Sequence, residues 1–190
     1  MEYRYNKNYR NYRKSRNAAW DILIENKIDK LPVPIYHICV NMGIDIKWYD
    51  GSMGEGFVQY IDDTPTIILS SRIKNEGRSR FTVAHELGHI ILAHKNNIDL
   101  IRDDPKNPDS KIEQNANIFA ARLLAPACVL WGCNARTPEQ IMELCNISYT
   151  AALYRAERME ELYKRGKFLT SDKEKQVYEQ FLPFIDEHMF

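Results

Sequence analysis

The sequence predicts an α+β fold: a small, mostly antiparallel sheet packed against a helix that carries His85, Glu86 and His89, a second ligand-bearing helix that begins near Glu113, and further helices toward the C-terminus. Three observations predict it. An HExxH pattern sits inside the mostly apolar run Val83 to Leu92, short β-forming runs precede it, and Glu113 to Ala125 places small residues at helical spacing.

With 190 residues the chain is long enough for one domain with a real core. Lys+Arg and Asp+Glu both number 26, so no overall basic balance argues for nucleic acid or an anionic membrane. Charge does gather at residues 1–16, where Arg4, Lys7, Arg10, Arg13, Lys14 and Arg16 interleave with tyrosines. We read that stretch as a basic, solvated arm running into the first helix, in preference to a nucleic-acid contact. No apolar run approaches the roughly 20 residues that span a bilayer, and the polar start lacks the apolar core of a signal peptide. A cytoplasmic location is expected, with no membrane partner. The four cysteines, Cys39, Cys128, Cys133 and Cys145, show no CxxC pair and are expected to be buried thiols.

In chain order, Asn17 to Asn26 carries the apolar set of a first helix, and Leu31-Pro32-Val33-Pro34 breaks it. A short helix follows over Ile35 to Met42, closed by Gly43. Strands are expected at Ile44 to Tyr49, Gly56 to Ile61 and Thr66 to Leu69, the last two joined by a turn at Asp62 to Pro65. Asn75 is placed to cap a helix running to about His94. Arg78 and Arg80 oppose the dipole of its first turns, which hints at a substrate or acidic-partner role, although we read them in preference as solvated charge.

On a helix, residues four apart share a face, so His85 and His89 can aim both imidazoles at one point with Glu86 alongside. Two neutral imidazoles, a third protein ligand and a water make an open tetrahedral site for one zinc ion. Glu86 then serves as general base toward a water attacking a carbonyl. Glu113, Ala116, Asn117, Ala120 and Leu124 share a face of the next helix, and the alanines let another helix come close. Glu113 can therefore supply the third ligand, and Asn117, one turn on, can accept from the free ring nitrogen of a ligand histidine. Taken by itself, Glu113 equally suits the start of a helix. His94 is rejected as a ligand: five residues past His89 it points away from the zinc face, and the third-histidine position of the metzincin pattern is Lys95. Lys95 to Lys111 reads as a polar surface loop.

Arg80 to His89 and Glu113 to Pro126, read together, resemble the ImmA/IrrE family of zinc metallopeptidases, and Leu31 to Pro34 with Gly43 to Ile46 resembles that family's helix-then-strand entrance. The resemblance, which covers about Leu31 to Pro126, implies a compact zincin-like metallopeptidase domain; we place that domain at 17–166, between the arm at 1–16 and a C-terminal helical extension at 167–190. It also implies His85, His89 and Glu113 as metal ligands, Glu86 as general base, and a helix-turn-helix transcriptional repressor as protein substrate.

Beyond Pro126, Thr137-Pro138-Glu139-Gln140 reads as a capping box with proline at the first helical position, and Ser148 caps a longer helix. Such a pair admits a helix-turn-helix reading, with Tyr149, Arg155 and Arg158 meeting DNA. Glu157, Glu160 and Glu161 on the same helix would repel phosphate, so direct nucleic-acid binding is not expected. A last helix is predicted from Ser171 to Leu182, ending at Pro183. Oxyanion or substrate donors remain open among Tyr60, Arg122 and Tyr149. The strand near Phe57 to Tyr60, if it is a sheet edge beside the cleft, offers β-augmentation to a peptide. The competing function is a DNA-binding or scaffold regulator with a structural zinc.

Overall fold

A computed structural model of the chain describes residues 7–51, 54–92 and 111–190. The first helix, α1 (Lys7–Glu25), starts well before Asn17. Most of the stretch read as a solvated arm is therefore helix. No glycine or proline interrupts 7–25, and long basic side chains can lie along apolar neighbours, as Arg16 does over the Trp20 ring at 4.5 Å. Ala19, Trp20, Ile22 and Leu23 are buried.

Helix α2 (Ile35–Asn41) follows Pro34, and Gly43 closes its end at φ +71°, a conformation that favours glycine. Three strands form one sheet: β1 (Asp45–Tyr49), β2 (Gly56–Ile61) and β3 (Thr64–Ser70), in the order β1-β3-β2. The β2–β3 hairpin turns on Asp62 and Asp63 at φ 48° and 62°, the positive values that a tight two-residue turn demands. The sheet is mixed, not mostly antiparallel, because β1 pairs with β3 in parallel, from Asp45 opposite Thr66 to Tyr49 opposite Ser70. The most apolar strand takes the centre, where Ile67 and Leu69 are fully buried, and β1 and β2 become the edges. Pro65, which has no N–H, sits beyond the β1 pairing.

Helix α3 (Glu76–Leu92) lies against the sheet and begins at Asn75, whose Oδ1 accepts from the Arg78 N–H at 2.9 Å. Helix α4 (Lys111–Leu124) packs on α3 and on α1. Gly88 permits this approach: a Cβ there would stand 3.2 Å from the Ala116 Cα and 3.0 Å from a Phe119 ring carbon. His94 and almost all of the loop expected at Lys95 to Lys111 lie outside the described residues.

Helix α5 (Ala127–Gly132) leads to α6 (Pro138–Cys145), where Thr137 and Gln140 form the expected capping box, and then to α7 (Tyr149–Arg165), capped by Ser148. The terminal segment is two helices, α8 (Asp172–Gln180) and α9 (Leu182–Glu187). Pro183 opens the second helix instead of ending the first, since a first-turn N–H needs no helical partner. Val177, Phe181 and Ile185 are buried in the common core, and the Gln180 amide donates to the Leu23 carbonyl at 3.0 Å. All four cysteines are free and buried, and burial holds their thiols protonated, with Cys39 and Cys145 pushed up to about 12. Among the described residues no helix is long and apolar enough to cross a membrane.

Candidate metal centre

Helix α3 turns His85 and His89 onto one face, and the close approach permitted by Gly88 and Ala116 sets the first turn of α4 over them. The two Nε2 atoms lie 2.9 Å apart. Glu113 reaches both: one carboxylate oxygen is 3.1 Å from Nε2 of His85 and the other 3.2 Å from Nε2 of His89. One nitrogen or oxygen from each residue thus falls within a 4.8 Å group able to hold a metal ion. Asn117 Oδ1 lies 2.9 Å from Nδ1 of His85, which places the proton on Nδ1 and leaves the Nε2 lone pair facing inward. Nδ1 of His89 is buried without a partner among the described residues.

The donor set fits a divalent cation. Two imidazole nitrogens and a carboxylate facing one point are poor company for each other without a shared positive charge. With only a proton to share, burial works against the charge on His85, but hydrogen bonding to Glu113, the nearby Glu86 and Glu113 charges, and Asn117 raise its pKa above the ordinary value. Burial and the like charge of His85 press His89 down to about 4, against the pull of Glu113. Both shifts follow from burial and from the crowding of two imidazoles against one carboxylate.

Glu86 is buried at the wall of an open cavity of about 850 Å³ that also holds His85, Asn117, Thr82 and the first residue of β2, Gly56. Gly56 sits where a Cβ would be 2.6 Å from the Thr82 methyl, so the edge strand passes directly over α3. The same cavity runs along α4 to Arg122 and across to Arg155 and Arg158 of α7. Among the three oxyanion or substrate candidates, Arg122 therefore lies in the cavity. Tyr60 and Tyr149 are 40% and 50% exposed and do not line it. Tyr60 sits near the hairpin end of β2, remote from Gly56, and Tyr149 opens α7 with its side chain turned to solvent.

Several contributions escaped sequence reasoning. Arg80 is neither solvated nor free for an acidic partner: buried, it donates to the carbonyls of Asn146 at 3.0 Å and Val33 at 2.7 Å, tying α3 to the α6–α7 connection. Arg78 instead pairs with Glu55 at 2.6 Å. Arg155, read as a possible DNA contact, is 3% exposed and faces the cavity, so it is unavailable to a phosphate backbone. Tyr12, in the stretch read as an arm, accepts from Arg122 Nε at 3.2 Å. Its only sequence signal is the tyrosine and arginine alternation of the first sixteen residues.

Residues 42–157 match the IrrE N-terminal-like domain. The chain belongs to this family. Among curated members, the radiation response metalloprotease IrrE of Deinococcus radiodurans is 29% identical over 128 residues, covering 59% of this chain and 36% of that protein. The radiation response metalloprotease IrrE of Deinococcus deserti is 31% identical over 113 residues, covering 54% and 39%. The chain thus spans little more than a third of the length of these family members. The matched region takes in β1 to β3, α3 to α6 and the first half of α7, and so includes His85, Glu86, His89, Glu113 and the cavity residue Arg155.

Proposed function

We propose that this protein is a zinc-dependent endopeptidase of the cytoplasm, with His85, His89 and Glu113 holding one zinc ion and Glu86 as general base. The observation that carries this reading is the convergence of both Nε2 atoms and the Glu113 carboxylate on one point, with His85 and Glu86 at the wall of an open cavity of about 850 Å³. A zinc ion there would polarise the scissile carbonyl and acidify an attacking water. Glu86, buried and within the electrostatic reach of His85, takes the proton from that water and returns it to the leaving amine. Asn117 keeps the His85 ring oriented throughout. The exposed edge of β2, entering the cavity at Gly56, offers backbone groups to an extended substrate.

The catalytic unit is residues 17–166 together with the earlier turns of α1, and α8 in the C-terminal segment supports it by packing against α1 and α5. The substrate we propose is a helix-turn-helix repressor whose cleavage relieves repression. The curated relatives, named for a radiation response, support a role in controlled proteolysis. A structural zinc in a DNA-binding scaffold is less well supported, because the candidate site opens on a cavity and Arg155 is buried.

The test is cleavage of a co-encoded repressor by the zinc-loaded protein and by Glu86→Gln, followed by mass spectrometry of the products. Glu86→Gln is expected to keep zinc and lose at least about a hundredfold in rate. Equal cleavage by both proteins would remove Glu86 from the chemistry.

A further inference from the structure

The far end of the cavity is built around buried positive charge. Arg155 is 3% exposed, and Nε and both terminal nitrogens of its guanidinium have no hydrogen-bond partner among the described residues. Arg122, 8% exposed, and Arg158 line the same space, and Nε of Arg158 is likewise buried and unpartnered. A buried guanidinium without an acceptor is costly, so an anion is the complement that Arg155 lacks among the described residues.

Among the described polar neighbours none supplies that complement to Arg155. Arg158 engages Glu161, and Arg122 donates to Tyr12, whose ring lies 5.4 Å from the Arg122 guanidinium carbon and 5.5 Å from that of Arg158. Tyr12 responds to the field: burial would raise its phenol, yet Arg122, Arg158 and Arg155 together bring it down to about 8. Burial and the like charge of Arg122 in turn press the Arg155 guanidinium well below its ordinary pKa.

We propose that Arg122, Arg155 and Arg158 form an anion subsite that receives an acidic side chain of the peptide substrate. This rests on the peptidase reading above. A peptide side chain is favoured over a free ion because the guanidinium cluster and Glu86 share one continuous cavity, between which Ile118, Ala121 and Leu124 give apolar wall for a side-chain stem. Arg122 lies five residues beyond Asn117 and nine beyond Glu113 on the same helix. At about 1.5 Å of rise per residue that is roughly 7 to 13 Å, the reach of about two to four residues of extended peptide. Arginine forks bind carboxylates through paired, charge-assisted hydrogen bonds, which makes the subsite selective for Asp or Glu over their amides.

The test uses blocked peptides that differ only in Glu or Gln at successive positions around a cleavable bond, offered to the zinc-loaded protein. A Glu-over-Gln rate ratio of about ten is expected at one position two to four residues from the scissile bond. The ratio should fall toward one in Arg155→Met and drop severalfold in Arg158→Gln, whose partly exposed side chain keeps the test open if Arg155→Met does not fold. A ratio of one in the wild type, or a ratio unchanged in the folded variants, overturns the subsite. Should the wild type cleave none of the peptides, the peptidase reading fails separately. The subsite is then read from equilibrium binding of the same Glu and Gln peptides: about tenfold tighter Glu binding that depends on Arg155 or Arg158 supports it, and equal binding overturns it. Binding of inorganic phosphate that depends on Arg155, with no Glu preference in any peptide, also overturns it, because the cluster then serves a free anion.

Discussion

The side-chain oxygen of Asn117 stands 2.9 Å from Nδ1 of His85, one turn beyond Glu113 on the same helix face. A single stretch of α4 therefore provides both the carboxylate that faces the two imidazoles and the group that selects the tautomer of one of them. We predict that Asn117→Ala binds zinc about 10–100-fold more weakly than wild type, by competition with a chromophoric chelator, while its far-ultraviolet circular dichroism stays unchanged. Undiminished affinity would mean that Asn117 does not orient the ring.

Gly88 decides how near α4 can come. Alanine is the better helix former by about 1 kcal/mol, so Gly88→Ala would stabilise an isolated α3. In the folded protein the new methyl meets the Ala116 Cα at 3.2 Å, and that backbone atom cannot move without carrying Glu113 with it. Overpacking of this kind costs about 1–3 kcal/mol, enough to cancel the propensity gain. The expected result is unchanged or lower thermal stability together with weaker zinc binding; a higher melting temperature with full affinity would contradict the close-approach account.

Arg80 holds two backbone carbonyls from separate parts of the chain, Val33 and Asn146. Arg80→Met removes the buried charge but strands the Asn146 carbonyl, at about 1–3 kcal/mol for an unsatisfied group, while the Val33 carbonyl keeps the Ile35 N–H. For a domain of this size we expect a fall in melting temperature of roughly 3–10 °C, measured by calorimetry. A shift of about a degree would show that the Asn146 carbonyl finds another donor.

Tyr12 gives the protein a pH dependence above neutrality. Its phenol stands at about 8 in the folded protein against 10 for the free side chain. Between those values the unfolded chain binds more protons than the native one, so stability rises with pH across the window. The contribution is complete above pH 10 and is lost as pH falls through 8. Denaturant unfolding below pH 8 and near pH 10 should therefore show a larger gain for wild type than for Tyr12→Phe. Phenolate absorbance should show one early-titrating tyrosine that is missing from the variant. Equal gains in the two proteins would place Tyr12 outside the field of the arginines.

Much of the local structure was legible because its causes are local. Thr137 and Gln140 cap each other within one turn, Asn75 and Ser148 open helices through their own side chains, and His85 and His89 share a face by helical geometry alone. The second metal-facing helix was legible for a related reason: Glu113, Ala116, Asn117 and Ala120 repeat at helical spacing, and small residues announce a close neighbour. The mixed sheet was not, since strand order depends on which strand must be covered on both sides, and neither alternation nor turn residues encode that. Pro183 misled because proline serves equally to stop one helix and to start the next.

By itself, then, the sequence determined the two helices of the candidate metal centre and the shared faces they carry, His85 with His89 on one and Glu113 with Asn117 on the other, because each pairing follows from spacing along its own helix. Only the tertiary structure decided what surrounds them. Arg122 is 110 positions from the Tyr12 hydroxyl it reaches, and Arg155 and Arg158 enter the same cavity from α7. A charge that looks solvated along the chain becomes buried when three helices close over it, and burial, which no short-range pattern records, is what turns those arginines into a demand for an anion.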